Sequence, residues 1–184
     1  MPNYCQNYVE LFHDDSSMLT KVIDAANKNE LFQQFVPMPE ELRNTTSPST
    51  LNSELVSKYG HDNWYDWAIA NWGTKWEVVD PIVEGNGDSV TLTFDTAWSP
   101  PMAFYEALNK HGFIVDALYS EEGMGFAGHY TTEEGDNDIE LEFRDTDFQE
   151  TINEINDIKL KEYVQDLYDE YQEWTKENGE DDQA

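Results

Sequence analysis

The sequence predicts an α+β fold of β-α-β-β-α-β order, enlarged by a helical insertion, extra antiparallel strands and a long C-terminal acidic helix. Three observations predict it. An apolar-rich run from Tyr4 to Phe12 and a clean alternation of Val90, Leu92 and Phe94 with polar residues mark strands. Apolar residues recur at helical spacing after Ser16 and after Ser99. Gly85-Asn86-Gly87-Asp88 is a hairpin turn, because Asn-Gly tolerates the positive φ that tight hairpins need.

Each element has its own warrant. After the first strand, Asp14 to Ser17 offers several N-caps. Met18, Leu19, Val22, Ile23 and Ala26 then make Ser16 to Lys28 a helix. Leu31 to Val36 is apolar, either a short helix or extended, and Pro37-Met38-Pro39 breaks it. Thr45 to Asn52 is a Thr-, Ser- and Pro-bearing loop. Leu55 to Asn71 is helical with an interruption near Gly60, and Gly73 stands where a helix C-terminal glycine belongs.

Trp76, Val78 and Val79 are expected to begin a strand, with Pro81 as its edge or bulge signal. Beyond the hairpin strand, Ser99 is the expected N-cap of a helix with Pro100 at its first position. Phe104, Tyr105 and Leu108 face inward and Gly112 stops that helix. Phe113 to Ser120 and Phe126 to Thr132 are strands. Gly135 to Asp138 is expected to turn into a strand at Ile139 to Phe143. Ile152 to Trp174 is expected as one amphipathic helix, with Leu160, Tyr163, Val164, Leu167, Tyr171 and Trp174 as its apolar stripe. Asn178 to Ala184 is expected to fray. The core order is the split βαβ arrangement called ferredoxin-like. It spans residues 1–148, with 149–184 as an acidic helix and tail on the same domain.

Charge is the outlying quantity. The chain has 184 residues with 10 basic and 39 acidic side chains, a net charge of −29. Of these, 20 acids and 4 bases fall between Glu133 and Ala184. Such a field repels nucleic acid and anionic membranes and attracts basic partners. A single cysteine, Cys5, allows no internal disulfide and no iron–sulfur cluster. The N-terminus lacks the basic and apolar regions of a signal peptide, and no apolar run is long enough to span a bilayer. A reducing cytoplasm is the expected location.

Four segments together resemble one family. Met1-Pro2-Asn3-Tyr4-Cys5-Gln6-Asn7, Val36-Pro37-Met38-Pro39-Glu40-Glu41-Leu42, Asn71-Trp72-Gly73-Thr74-Lys75-Trp76 and Phe94-Asp95-Thr96-Ala97-Trp98-Ser99-Pro100-Pro101 resemble the YubB-like, ferredoxin-like family of phage and plasmid proteins. The resemblance covers residues 1–145 or so, with Tyr4 where the family has tryptophan. It implies a ferredoxin-like fold and a mobile-element protein in a bacterial cytoplasm. It carries no catalytic residues or cofactor onto this chain.

Two constellations bear on function. Four of six tryptophans fall between Asn63 and Trp76. A stacking platform for a nucleic acid also needs a basic groove, and Lys75 is the only cation in the stretch. Packing is the favoured reading: Trp64 and Trp67 on a buried helix side, Trp72 and Trp76 at the elbow around Gly73. If the elbow meets the corner at Trp98, then Trp72, Lys75, Trp76 and Trp98 are a candidate small-ligand or nucleotide site.

The second constellation is acidic. Glu162, Asp166, Asp169, Glu173 and Glu177 recur every three or four residues, opposite the apolar stripe. A second row is expected from Asp138, Glu140, Glu142, Asp145 and Asp147, with Glu140 and Glu142 on one strand face. An ordinary solvated helix face is the plain alternative. His13, His61, His111 and His129 show no metal-binding spacing and are expected in surface or capping roles. Asp136, Asn137, Asp138 and Glu140 lack the spacing of a calcium loop. No nucleophile elbow, phosphate loop or dinucleotide fingerprint is present. The expectation is a non-enzymatic binding protein without cofactor or metal. Its partner would be a basic surface on a host nucleic-acid-handling or defence protein, and neither nucleic acid nor membrane would bind directly.

Overall fold

A computed structural model describes residues 3–85 and 87–179. Among the described residues, six antiparallel strands form one sheet in the order β2-β3-β1-β4-β5-β6. The strands are β1 (Tyr4–Phe12), β2 (Ile82–Gly85), β3 (Ser89–Ala97), β4 (Ile114–Glu121), β5 (Phe126–Thr131) and β6 (Gly135–Glu140). Strands β2, β3, β1 and β4 give the ferredoxin-like order, and β5 and β6 extend it beyond β4. Helices α1 (Ser16–Ala26) and α6 (Met102–Lys110) are the two crossovers. The insertion holds α2 (Leu31–Phe35), α3 (Glu40–Arg43), α4 (Ser53–Tyr59) and α5 (Trp64–Trp72), and α7 (Phe148–Glu154) and α8 (Ile158–Asn178) close the chain.

Strand pleating assigns the two faces. Cys5, Asn7, Val9 and Leu11 are buried, whereas Tyr4, Gln6 and Tyr8 are exposed. The buried face packs under α1 to α6, in a core that includes Phe32, Trp72, Phe94, Phe104 and Leu108. Asn7 is buried there without polar cost, because its amide donates to the carbonyl of Cys5 and to Thr96 Oγ1 and accepts from Tyr105 Oη. Among the described residues, the opposite, outer face is covered only on its β4–β5 side. There Ala127, Leu141, Phe148, Ile152, Leu160 and Val164 form a second, smaller cluster with α7 and α8.

Four expectations are corrected. Trp76 to Val79 is not a strand, and β2 begins only at Ile82. The Glu77 carboxylate accepts from the amides of Phe32 and Gln33, both at 2.8 Å, and so caps α2. Asp80 then takes a positive φ of 50° and exchanges hydrogen bonds with Asn29, two residues before β2 begins. Ser99 does not cap α6, which starts at Met102. Its hydroxyl donates instead to the Gly73 carbonyl at 2.9 Å.

The last hairpin is offset from its expected place. Thr131 pairs with Gly135, so the turn is Thr132-Glu133-Glu134 and the strand starts at Gly135 with φ 79°. A three-residue turn closed by a left-handed glycine is a common hairpin geometry. Leu141 and Phe143, whose alternation suggested a strand, lie beyond β6 and pack toward α7 and α8. Finally, the long C-terminal helix is two helices. Ile155 is extended, and Asp157 caps α8 by accepting from the Leu160 amide. Asn178 is the last residue of α8, and the expected fraying falls mostly on residues 180–184, outside the described residues. Asn86 of the expected Asn-Gly turn also lies outside them.

Candidate functional site

The acidic row stands where helical geometry puts it. Leu160 and Val164 are buried on the sheet side of α8, and Tyr163, Leu167 and Tyr171 are half-buried. Glu162, Asp166, Asp169, Glu173 and Glu177 are all exposed. None of them forms an ion pair with a described residue; Asp169 accepts one neutral hydrogen bond, from Gln165. Trp174, expected in the apolar stripe, is 55% exposed, because the second cluster ends with the first half of α8.

The second row does not form on a strand face. Glu140 ends β6 and is exposed, whereas Glu142 lies past the strand in a cleft of about 430 Å³ with Glu122, Arg144, Asp145 and Tyr171. Asp145 beside Glu142 pushes the Glu142 carboxyl above its ordinary range. Asp147 sits at the start of α7.

The elbow and the corner do meet. Thr74 Oγ1 donates to the Ala97 carbonyl and accepts from the Ala97 amide, both at 3.2 Å. Gly73, at φ 84°, leaves no room for a side chain: a Cβ there would lie 2.8 Å from the Met102 nitrogen. Trp98, at φ 69°, is turned outward. Trp76 and Trp98 are 43% and 42% exposed. Lys75 Nζ lies 3.8 Å from the Trp76 ring centre and 4.8 Å from that of Trp98, so one ammonium is shared by two indoles. Trp72 does not join them. It is buried, and its Nε1 donates to the Val36 carbonyl at 2.9 Å. Beside Trp76, a cleft of about 370 Å³ is lined also by Tyr4, Val79 and Asp95.

Of the histidines, His13 accepts from the Asp15 amide at the start of α1, and His111 meets the Phe35 carbonyl. His129 departs from the expected surface role. It is 7% exposed, with Nδ1 at 2.6 Å from Asp157 Oδ2 and Nε2 at 2.9 Å from Asp116 Oδ1. Lys159 Nζ reaches the same Asp116 oxygen at 2.7 Å. The bond to Asp116 raises the His129 pKa against the effect of burial, and Asp157 adds to the rise. Burial pushes Asp116 and Asp157 up, but their hydrogen-bond partners leave both below the ordinary range. This clamp fixes the first turn of α8 to β4 and β5. No spacing rule joins residues 116, 129 and 157. The sequence did carry one trace: Asn156-Asp157 is a cap signal inside an otherwise helical pattern.

Cys5 is fully buried, and burial pushes its thiol up to about 12, consistent with an inert packed thiol. Asp136, of the acidic run in β6, accepts a hydrogen bond from Tyr119 Oη. Among the described residues, no group of histidine, cysteine or carboxylate side chains is placed to hold a metal ion. No described helix is long and apolar enough to cross a membrane.

These features define an α+β protein of ferredoxin-like fold with an acidic helix bound to one half of its sheet. Residues 71–162 match the family described as "Ferredoxin-like domain in Api92-like protein", and the chain belongs to that family. It is also similar to a solved structure, that of a protein api92 from Yersinia pseudotuberculosis. The identity is 10%, over 77% of this chain and 98% of that one, with a TM-score of 0.44. No curated protein matches the chain.

Proposed function

We propose that this chain is a non-enzymatic binding protein, borne by a phage or plasmid and working in a bacterial cytoplasm. The outer face of α8 engages a basic site on a host nucleic-acid-handling or defence protein and inhibits it by presenting a DNA-like negative surface. One observation supports this reading most: five carboxylates stand exposed, none in an ion pair with a described residue, along one side of a helix anchored by its other side. At about 1.5 Å of rise per residue they place a charge every 5–6 Å or so. Duplex DNA carries one per about 1.7 Å of axis. The single row is thinner than DNA, and Glu140 and Glu142 thicken the acidic surface near the end of β6.

The test replaces Glu162, Asp166, Asp169 and Glu173 together by lysine. The wild-type chain should retain a nucleic-acid-handling protein from bacterial lysate, released by duplex DNA at a salt concentration that does not itself release it. The variant should retain none. A partner held at full strength by the variant overturns the reading.

One observation favours a second reading, a small-ligand or nucleotide binder. Lys75 lies between two exposed indoles, so an aromatic anion could stack on Trp98 or Trp76 while its charge meets Nζ. Trp72 is withdrawn from that site by its burial. Quenching of indole fluorescence across a nucleotide panel would support this reading, and no change would remove it.

A further inference from the structure

Helix α8 leaves half of the outer sheet face uncovered. Its Tyr163 hydroxyl lies 2.8 Å from Ser120 Oγ on β4, and its buried residues cluster with Ala127 on β5. No described helix lies over β1, β3 and β2 on that side. Register places Tyr8 beside Thr93, Gln6 beside Asp95, and Tyr4 beside Ala97. Tyr4 is 53% exposed, Tyr8 40% and Ile82 63%. The Tyr8 ring meets Tyr163 edge-on at 5.8 Å, so α8 forms a wall along this floor.

Negative charge converges on the same floor. Tyr8 has its hydroxyl pKa raised first by burial and then by Glu170, Asp95 and Glu122, which lie on α8, on β3 and just after β4. All three carboxylates are exposed and form no ion pair with a described residue. Cations are scarce around it. Lys159 is committed to Asp116, and Lys75 lies at the far end on its two indoles. An aromatic sheet face of this kind suits nucleic-acid bases, but a phosphate backbone needs the basic groove that is missing here. The chain's own terminal Glu180-Asp181-Asp182 carries the wrong sign as well.

We propose that this open half-sheet is a second docking surface, and that its occupant is an extended, arginine-bearing segment of a partner protein. A guanidinium stacks on the phenol of Tyr8 or Tyr4 and pairs in-plane with Asp95, Glu122 or Glu170. Arginine suits the site better than lysine, because its planar fork stacks on rings and bonds carboxylates bidentately. The surface centres on β1 and β3 and meets α8 only at its near edge, where Glu170 stands, and it shares with the proposed function the positive sign of the partner.

The test is an NMR titration of the full ¹⁵N-labelled chain with a blocked Gly-Arg-Gly-Arg-Gly-Arg peptide and its lysine counterpart, at physiological salt. The arginine peptide should shift amides of Tyr4 to Glu10 and Thr91 to Asp95, and bind severalfold more tightly than the lysine peptide. Tyr8→Ala should weaken it about fivefold, in line with loss of one cation–π contact, and Asp95→Asn should weaken it further. The four-lysine variant of α8 should still show the β1 and β3 shifts. Shifts confined to α8, equal affinity for the two peptides, no binding, or no effect of Tyr8→Ala would each overturn the inference. The α8 reading would be untouched, because its own test uses a different surface and a DNA competitor.

Discussion

On one face of the sheet, Phe32 packs against Trp72, Phe94 and Phe104, and helices α1 to α6 all contribute to the cluster around it. On the other face, α8 is held by a few aliphatic and aromatic contacts and by the clamp of His129, Asp116, Asp157 and Lys159. The first face is held mainly by area removed from water, with one titrating group, the Glu77 carboxyl that burial pushes up, capping α2 beside it. The second gains part of its hold from charge. The difference separates two roles: the first face fixes the fold, and the second carries a helix whose outer side is exposed.

The sharpest way to break the first face is Trp72→Ala. It removes a buried indole and the hydrogen bond to Val36, and should cost about 3–5 kcal/mol in urea unfolding. Gly73→Ala comes next. A residue there must hold φ 84° and place its Cβ against the Met102 nitrogen, for an expected loss of about 2–3 kcal/mol. Both substitutions lie at the junction of α5 with the Trp98 corner. A loss below about 1 kcal/mol in either would show that the junction relaxes in a way this packing does not allow.

Local signals made the first face legible in the sequence. The bounds of β1 could be read directly, and the glycine at position 73 announced a left-handed cap that the structure shows. The elements that were misplaced are those decided by distant partners. Glu77 is drawn from a would-be strand by the amides of α2, forty-four residues away or more. Asp157 splits the C-terminal helix because it both caps α8 and meets His129. Tertiary hydrogen bonds override periodicity at such points, and periodicity contains no trace of them. The candidate site divides in the same way. The exposed row on α8 follows from helical spacing alone. The sharing of Lys75 by Trp76 and Trp98, and the burial of Trp72, required the chain to be folded.

The clamp gives the second face its own pH dependence. The His129 pKa is raised, so its contribution is fully present below about 6.5, the unfolded value, and is lost as pH rises through the folded value. Asp116 and Asp157 are lowered, so theirs is present above about 3.9 and lost as pH falls through the folded values. The clamp should therefore hold α8 best between about pH 4 and 6.5. His129→Gln should cost about 1–3 kcal/mol at pH 6, between the values for exposed and buried pairs. It should also flatten the alkaline limb of stability against pH relative to wild type. An unchanged alkaline limb would assign that slope to the general repulsion of a chain at −29 rather than to His129. Hydrogen exchange should show faster opening of the first turn of α8 in the variant, with β1 and β3 unaffected.

The smallest expected effect sharpens the contrast within the tryptophan stretch itself. Trp76 is four residues from Trp72 yet stands at the surface, where its ring meets the Lys75 ammonium. Trp76→Ala removes that contact and a ring that is 43% exposed, against 3% for Trp72. Its expected cost is about 0.5–1 kcal/mol, the range of an exposed cation–π pair. Trp98 should partly compensate, because the same ammonium already lies within 4.8 Å of its ring. A double-mutant cycle with Lys75→Met separates the charge–ring term from loss of the ring alone, and a coupling energy near zero would mean the three side chains meet without stabilising one another. A cost approaching that of Trp72→Ala would mean that the Trp76 ring shields more of the elbow than its exposure indicates, and that the cleft beside Tyr4 is part of the core.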